Sequence, residues 1–193
     1  MTEDLRLKKN ELRARFKAVR ASFSEEEKKR LDSLVADRFL TLPQYCEAKT
    51  VLFYVSLPLE IDTYFLMEQA FKDGKTVAAP RCVPGTREME FFILRNFNDL
   101  APGAFGVSEP KVDSCEKLTD LSEGLCVVPA LGFARDGYRL GYGKGYYDRF
   151  LARFLGQTVG LVYDACLKES LPHGRFDCRV QCIATEKQLL KID

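Results

Sequence analysis

The apolar and polar positions along the chain alternate between helical and extended periods. Residues 5–20 set Leu5, Leu12, Phe16 and Val19 at helical spacing, with Arg6, Lys8, Lys9, Arg13, Arg15, Lys17 and Arg20 on the remaining faces and Glu11 to balance them. A second helix has Leu31, Leu34, Val35 and Phe39 as its apolar face; Ser24 with Glu27 three residues on predicts a capping box before it, and Pro43 marks its end. Residues 50–56 (TVLFYVS) are rich in β-formers and predict the first strand, which Pro58 breaks. Asp62 or Thr63 then caps a helix that runs to Phe71 and closes at Gly74. Short strands are predicted over 76–80 and 90–94, and 101–110 (APGAFGVSEP) reads as a loop. Residues 125–131 form an apolar run, interrupted by Pro129, that reads as a buried strand of the parallel kind. The helix after it carries Tyr147, Phe150, Leu151, Phe154 and Leu155 as its core-facing stripe, and further strands follow over 157–163 and 182–185. This order predicts an α/β fold: one domain with a mostly parallel central sheet and helices on both faces, a size that 193 residues suit.

Chemistry concentrates between the 125–131 strand and its helix. Gly132, Gly137, Gly141, Gly143 and Gly145 alternate there with Arg135, Arg139 and Lys144. A strand, glycine loop and helix start bring unpaired N–H groups together with cations, which suits an anion, most commonly a phosphate. Asp148, in the first turn of the same helix, would compete with that phosphate unless a divalent cation lay between them. Mg2+ is bound by one or two carboxylates plus substrate phosphates, so the pattern points to a Mg-nucleotide. The loop is neither standard phosphate fingerprint: Gly145 stands where a P-loop needs Ser or Thr, and the Gly141, Gly143, Gly145 spacing misses G-x-G-x-x-G. A flexible turn before an ordinary helix is the alternative reading. Of the paired tyrosines, Tyr147 lies on the apolar stripe and Tyr146 about 100° away, freer to face a ligand.

Composition narrows the partners. The net charge of +1 offers no bulk attraction for nucleic acid or for a membrane surface. The charged N-terminus lacks an apolar signal segment and no stretch approaches the ~20 apolar residues of a membrane span, so a cytoplasmic protein is expected. The seven cysteines form no C-x-x-C pair and read as reduced thiols. Cys178, Cys182 and the single histidine, His173, are too few for structural zinc, and a loop histidine is read as a bystander.

The string RLGYGKGYYDR, preceded by VPALGF and Gly137, resembles the signature of the 5-formyltetrahydrofolate cyclo-ligase (methenyltetrahydrofolate synthetase) family, and the order of the other elements resembles it over nearly the whole chain. The resemblance implies conversion of 5-formyltetrahydrofolate and Mg-ATP to 5,10-methenyltetrahydrofolate, ADP and phosphate. It places Lys9 and Arg13 on ATP, together with Arg139 and the run Gly141, Tyr142, Gly143, Lys144, Gly145, Tyr146 and Tyr147. It places Val55, Glu60 (in LEIDT) and Arg81 (in Pro-Arg) at the folate, which the residues from Tyr142 to Tyr146 also touch. Lys144, Arg139 and Tyr146 become the catalytic candidates, and Asp148 with Asp177 the Mg2+ candidates. One departure stands four residues after Asp177, where many members carry an acidic residue and this chain has Gln181. ATP and 5-formyltetrahydrofolate are the expected partners and a monomer the expected state. The residues alone leave two rivals: a sugar-phosphate isomerase or acyl-CoA transferase on a related sheet, working without ATP, and a non-catalytic folate or nucleotide binder.

Overall fold

In a computed structural model the chain is described over residues 2–192. The elements in order are α1 (Thr2–Ala21), α2 (Glu25–Leu40), α3 (Pro43–Glu47), β1 (Thr50–Leu52), α4 (Tyr64–Lys72), β2 (Thr76–Cys82), β3 (Met89–Leu94), a hairpin of β4 (Leu100–Pro102) and β5 (Ser108–Pro110), β6 (Leu125–Val128), β7 (Gly132–Ala134), β8 (Arg139–Leu140), α5 (Tyr146–Leu151), β9 (Gln157–Leu161), β10 (Leu167–Lys168), β11 (Cys182–Ala184) and β12 (Leu189–Lys191). Seven strands form the main sheet in the order β12-β11-β9-β6-β1-β2-β3; the inner pairings are parallel, and only the two edge strands, β3 and β12, run antiparallel.

Side-chain alternation along these strands builds a core on each face. Val51, Val77, Val127 and Val159 point toward α2, α3 and α4, where they meet Leu31, Val35, Phe39, Tyr45, Leu66 and Met67. Leu52, Ala78, Cys126, Val128 and Ile183 point the other way, onto Phe16 of α1 and Phe150 and Phe154 at and after α5. Helices therefore cover both faces, as the sequence predicts. Chain order reverses at β1, with β2 and β3 to one side and β6, β9 and β11 to the other, and the crevice at such a reversal is where open α/β sheets bind ligands.

Several predicted boundaries shift. Ser24 accepts the Glu27 N–H at 3.1 Å as expected, but the Glu27 carboxylate turns to Arg30 (3.9 Å), so half of the capping box forms. The predicted 50–56 strand pairs regularly only to Leu52, and the 125–131 run pairs only to Val128 because Pro129 cannot donate. The helix after the glycine loop stops at Leu151 instead of carrying its stripe to Leu155, which is 77% exposed. Its connection must bend at once into β9, and Gly156 lies so close to the Gly124 carbonyl that a Cβ would sit 2.5 Å from it. Arg20, expected among the solvent-facing cations of α1, is 3% exposed, because it follows the buried Phe16 by one helical turn.

Candidate active site

A cleft of about 600 Å3 opens at the carboxyl ends of the parallel strands. It is bordered by nearly every residue singled out above: Lys9 and Arg13 from α1, Val55 and Glu60 after β1, Arg139 in β8, the whole run from Gly141 to Asp148, and Asp177 from the loop before β11. Arg81 is not brought to the lining. Alternation in β2 turns Pro80 and Cys82 to the cleft and Arg81 away, with its Nε 4.0 Å from the carboxylate of Glu109. Gln181 lies elsewhere too, at the start of β11, where its Oε1 accepts the Thr158 N–H at 2.8 Å. His173 stacks on Tyr138 with ring centroids 3.6 Å apart and does not border the cleft.

The glycine loop owes its shape to two left-handed residues, Gly143 (φ +90°) and Gly145 (φ +76°). Arg13 holds it from α1, its Nε donating to the Gly141 carbonyl at 2.9 Å, and its guanidinium lies where a Cβ on residue 143 would fall 3.0 Å away. The six residues of α5 make a weak dipole, so the positive field comes mainly from side chains. Arg139 donates to Asp148 Oδ1 at 2.8 Å, and Lys9 donates to Asp177 Oδ2 at 2.5 Å. Arg13 and Lys144 form no ion pair with any carboxylate among the described residues, which leaves surplus positive charge on the loop. The Asp177 carboxyl is held below its usual range: burial raises it, but the Lys9 hydrogen bond, the Gly174 N–H and the charges of Lys9 and Arg139 outweigh that.

The opposite wall is apolar and ends in a buried carboxylate. Thr63 donates to the Tyr54 carbonyl at 2.7 Å and accepts the Ser56 N–H, which folds the chain after β1 into a tight loop. Glu60, 5% exposed, accepts the Leu57 N–H at 2.8 Å. Its carboxyl is pushed up by burial, against the Leu57 hydrogen bond, the Arg20 charge, the Tyr142 hydroxyl and the Lys28 charge.

Aromatic side chains roof the space between. Tyr147 packs its ring into both cores, as the stripe predicts, yet borders the cleft, and its buried hydroxyl has no hydrogen-bond partner among the described residues. The Arg139 Nε beneath it is likewise buried and unpartnered, and its guanidinium lies 5.6 Å from the Tyr147 ring centre. Tyr146, read as free, donates to the Thr86 carbonyl at 3.2 Å and meets Phe105 edge-on with centroids 6.3 Å apart. Phe105 was hidden in the predicted loop. It sits at the tip of the β4–β5 hairpin in a left-handed conformation (φ +58°), 63% exposed, with the Lys144 ammonium 5.5 Å from its ring centre. Glu109, behind it, accepts the Cys82 N–H at 3.1 Å. The lone aromatic in GAFG was the one signal in the sequence for this wall.

The model of the 5-formyltetrahydrofolate cyclo-ligase family matches residues 6–186. This chain belongs to that family. Among cyclo-ligase relatives, the Escherichia coli (strain K12) 5-formyltetrahydrofolate cyclo-ligase is 29% identical over 174 residues, which span 88% of this chain and 96% of that one. A probable 5-formyltetrahydrofolate cyclo-ligase of Schizosaccharomyces pombe is 30% identical over 138 residues, 70% of this chain and 67% of that one. The solved 5,10-methenyltetrahydrofolate synthetase of Aquifex aeolicus superposes with a TM-score of 0.83 at 33% identity, covering 95% of this chain and 92% of its own. The α/β architecture is thus that of a solved cyclo-ligase-family protein.

Proposed function

We propose that this chain closes 5-formyltetrahydrofolate to 5,10-methenyltetrahydrofolate, with ATP converted to ADP and phosphate. The observation that carries the reading within the family is the two-sided cleft. Lys144 of its glycine loop and Arg13 of α1, which lies against that loop, are unpaired cations among the described residues and suit a polyphosphate, and its far wall is apolar and ends in Glu60, which suits a flat ring with N–H donors on its edge.

A formamide oxygen is a poor leaving group. Transfer of the terminal phosphoryl of ATP to that oxygen makes it a phosphate ester; N10 then attacks the formyl carbon, loses its proton, and the C–O bond breaks to release phosphate and leave the methenyl bridge. Such a reaction depends on positioning and charge neutralisation. Lys144, Arg139 and the loop N–H groups face the transferring phosphoryl, and Lys9 and Arg13 the rest of the triphosphate. Glu60, Val55 and Tyr142 hold the folate ring, and Tyr146 closes over the reacting group. With its side chain turned away, Arg81 acts only through Glu109.

The acidic residues fit a magnesium ion that arrives with the nucleotide. Among the described residues no group of three or more His, Cys, Asp or Glu could hold a metal by itself. Among the described residues Asp148 and Asp177 each commit one carboxylate oxygen to a cation and leave the other without a hydrogen bond, and Mg2+ in nucleotide sites takes only one or two carboxylates. These two would hold it, and its contribution would be to neutralise phosphate charge. The same reading has the chain act as a single-domain monomer in the cytoplasm, without nucleic acid or membrane partners; among the described residues no helix is long and apolar enough to cross a membrane. The test is the rise in long-wavelength absorbance of the conjugated methenyl bridge on mixing the protein with 5-formyltetrahydrofolate. It should require both ATP and Mg2+; binding of both ligands without that rise would make the protein a binder, and a rise without ATP would place it with the isomerase-like rivals.

A further inference from the structure

Behind the folate wall lies a buried cation that the reaction as described does not use. Arg20, in the last turn of α1, donates through Nη2 to the carbonyls of Ala130 (2.5 Å) and Leu131 (2.8 Å), and through Nη1 to the carbonyl of Leu59 (3.3 Å). Ala130 and Leu131 follow β6, and Leu59 follows β1, so one guanidinium joins the loops that leave two adjacent parallel strands on either side of the topological reversal. The same group stands 5.6 Å from the Tyr163 ring centre and forms no ion pair among the described residues. A buried charge held mainly by carbonyls is costly for a fold to keep, and residues that only pack are better served by an apolar side chain.

We propose that Arg20 is a positioning residue for the folate site, fixing the two loops that form its wall and setting a permanent positive charge behind Glu60. The proposal rests on the reading that Glu60 holds the folate. Glu60 immediately follows Leu59, one of the three clamped residues. The groups that face it come from every neighbouring element: Arg20 from α1, Lys28 from α2, Tyr142 from the glycine loop, Tyr54 after β1 and Tyr147 from α5. Of these, Arg20 and Lys28 are the cations that favour the ionised carboxylate against burial, and Arg20 acts more strongly. Without it the loop loses its anchor and Glu60 is protonated more readily, losing the acceptor a ring N–H needs.

The test is calorimetric titration of the full chain with 5-formyltetrahydrofolate between pH 5.5 and 8, and separately with Mg-ATP, for wild type, Arg20→Met, Arg20→Lys, Glu60→Gln and the Met/Gln double variant. Arg20→Met should weaken folate about tenfold, the effect of removing one opposite charge beside a carboxylate, and move the acidic loss of affinity to higher pH. Mg-ATP affinity should stay within about twofold, and the pH shift should vanish in the Glu60→Gln background. Arg20→Lys, which keeps the charge but cannot reach three carbonyls, should weaken folate without moving the pH profile; it carries the test alone if the Met variant does not fold. A lower melting temperature with wild-type folate affinity and pH profile in either variant would overturn the proposal. So would weaker binding in Glu60→Gln with no change in the Arg20 variants. The underlying reading fails differently: Glu60→Gln would bind folate with the affinity and pH profile of wild type, and both assignments would fall.

Discussion

Asp177→Asn separates the two tasks assigned to this side chain by giving them opposite signs. Asp177 pairs with Lys9 at 2.5 Å, and the two side chains are 21% and 17% exposed. Loss of a pair between the fully exposed and fully buried limits costs about 1–2 kcal/mol, or roughly 3–6 °C of melting temperature for a domain of this size. Because the carboxyl is held below its usual range, its stabilising contribution is present above the unfolded value of ~3.9 and is lost as pH falls through the folded value. The melting gap between wild type and variant should therefore close below about pH 4. In ligand binding the carboxylate repels a bare triphosphate. At ~8 Å and an effective dielectric of ~20 one pair of unit charges is worth about 2 kcal/mol, and screening in an open cleft halves it, leaving about fivefold in affinity. Titration with ATP in EDTA should thus show the variant binding about fivefold tighter, with Lys9 released to the phosphates. Titration with Mg-ATP should show it binding more weakly, and the Mg2+ concentration for half-maximal turnover should rise. If metal-free ATP bound no better and the Mg2+ dependence stayed put, Asp177 would be a structural partner of Lys9 and nothing more.

Other outcomes follow from the same geometry. Lys144→Met removes an exposed cation that forms no ion pair among the described residues and lies over the Phe105 ring, so kcat should fall about 10²-fold with the melting temperature unchanged; a variant within threefold of wild type would remove Lys144 from the phosphoryl site. Phe105→Ala should raise the KM for 5-formyltetrahydrofolate about tenfold, as loss of a ring-stacking platform would, and leave stability intact because the ring is largely exposed; an unchanged KM would detach the hairpin from the site. Glu60→Gln should raise the melting temperature at pH 7 while weakening folate. The raised carboxyl of Glu60 stabilises the fold below its unfolded value of ~4.3 and loses that contribution as pH rises through the folded one, so the gain should shrink toward pH 4; melting curves at both pH values decide it.

The fold was legible because buried parallel strands write continuous apolar runs: 50–56, 125–131 and 157–163 each contain the strand found there, and 76–80 lies inside β2, which runs on to Cys82. The hairpin was not, since β4 and β5 are three residues each and carry Pro, Ser and Gly neighbours that have no strand preference. Its residues Phe105 and Glu109 were missed with it. The glycine loop was legible from its residue types, but the orientation of Arg81 was not, because a strand end shows its phase only once its register with β3 is known. Arg20 could have been found by asking which cation of α1 lies four residues from Phe16; charge alone does not distinguish it from Arg15 or Lys17.

The pairing of charges in this cleft explains how a near-neutral chain can take a polyanion. Lys9 and Asp177, and Arg139 and Asp148, neutralise each other, so these four ions need not be solvated singly in a confined space. On the proposed reading Lys9 and Arg139 would turn to the phosphate oxygens of Mg-ATP, and Asp177 and Asp148 would hold the metal, so the number of opposite-charge contacts would rise without a change in the net charge of the protein. Arg13 and Lys144, unpaired beforehand, supply the surplus attraction. That division predicts unequal salt responses. Affinity for Mg-ATP should fall with ionic strength in wild type, less in Lys144→Met, where one exposed cation is gone. In Lys9→Met the salt dependence should stay close to wild type, because the charge lost was already neutralised within the cleft. Equal flattening in the two variants would mean that the pairs open before the nucleotide arrives, and the exchange would have to be abandoned.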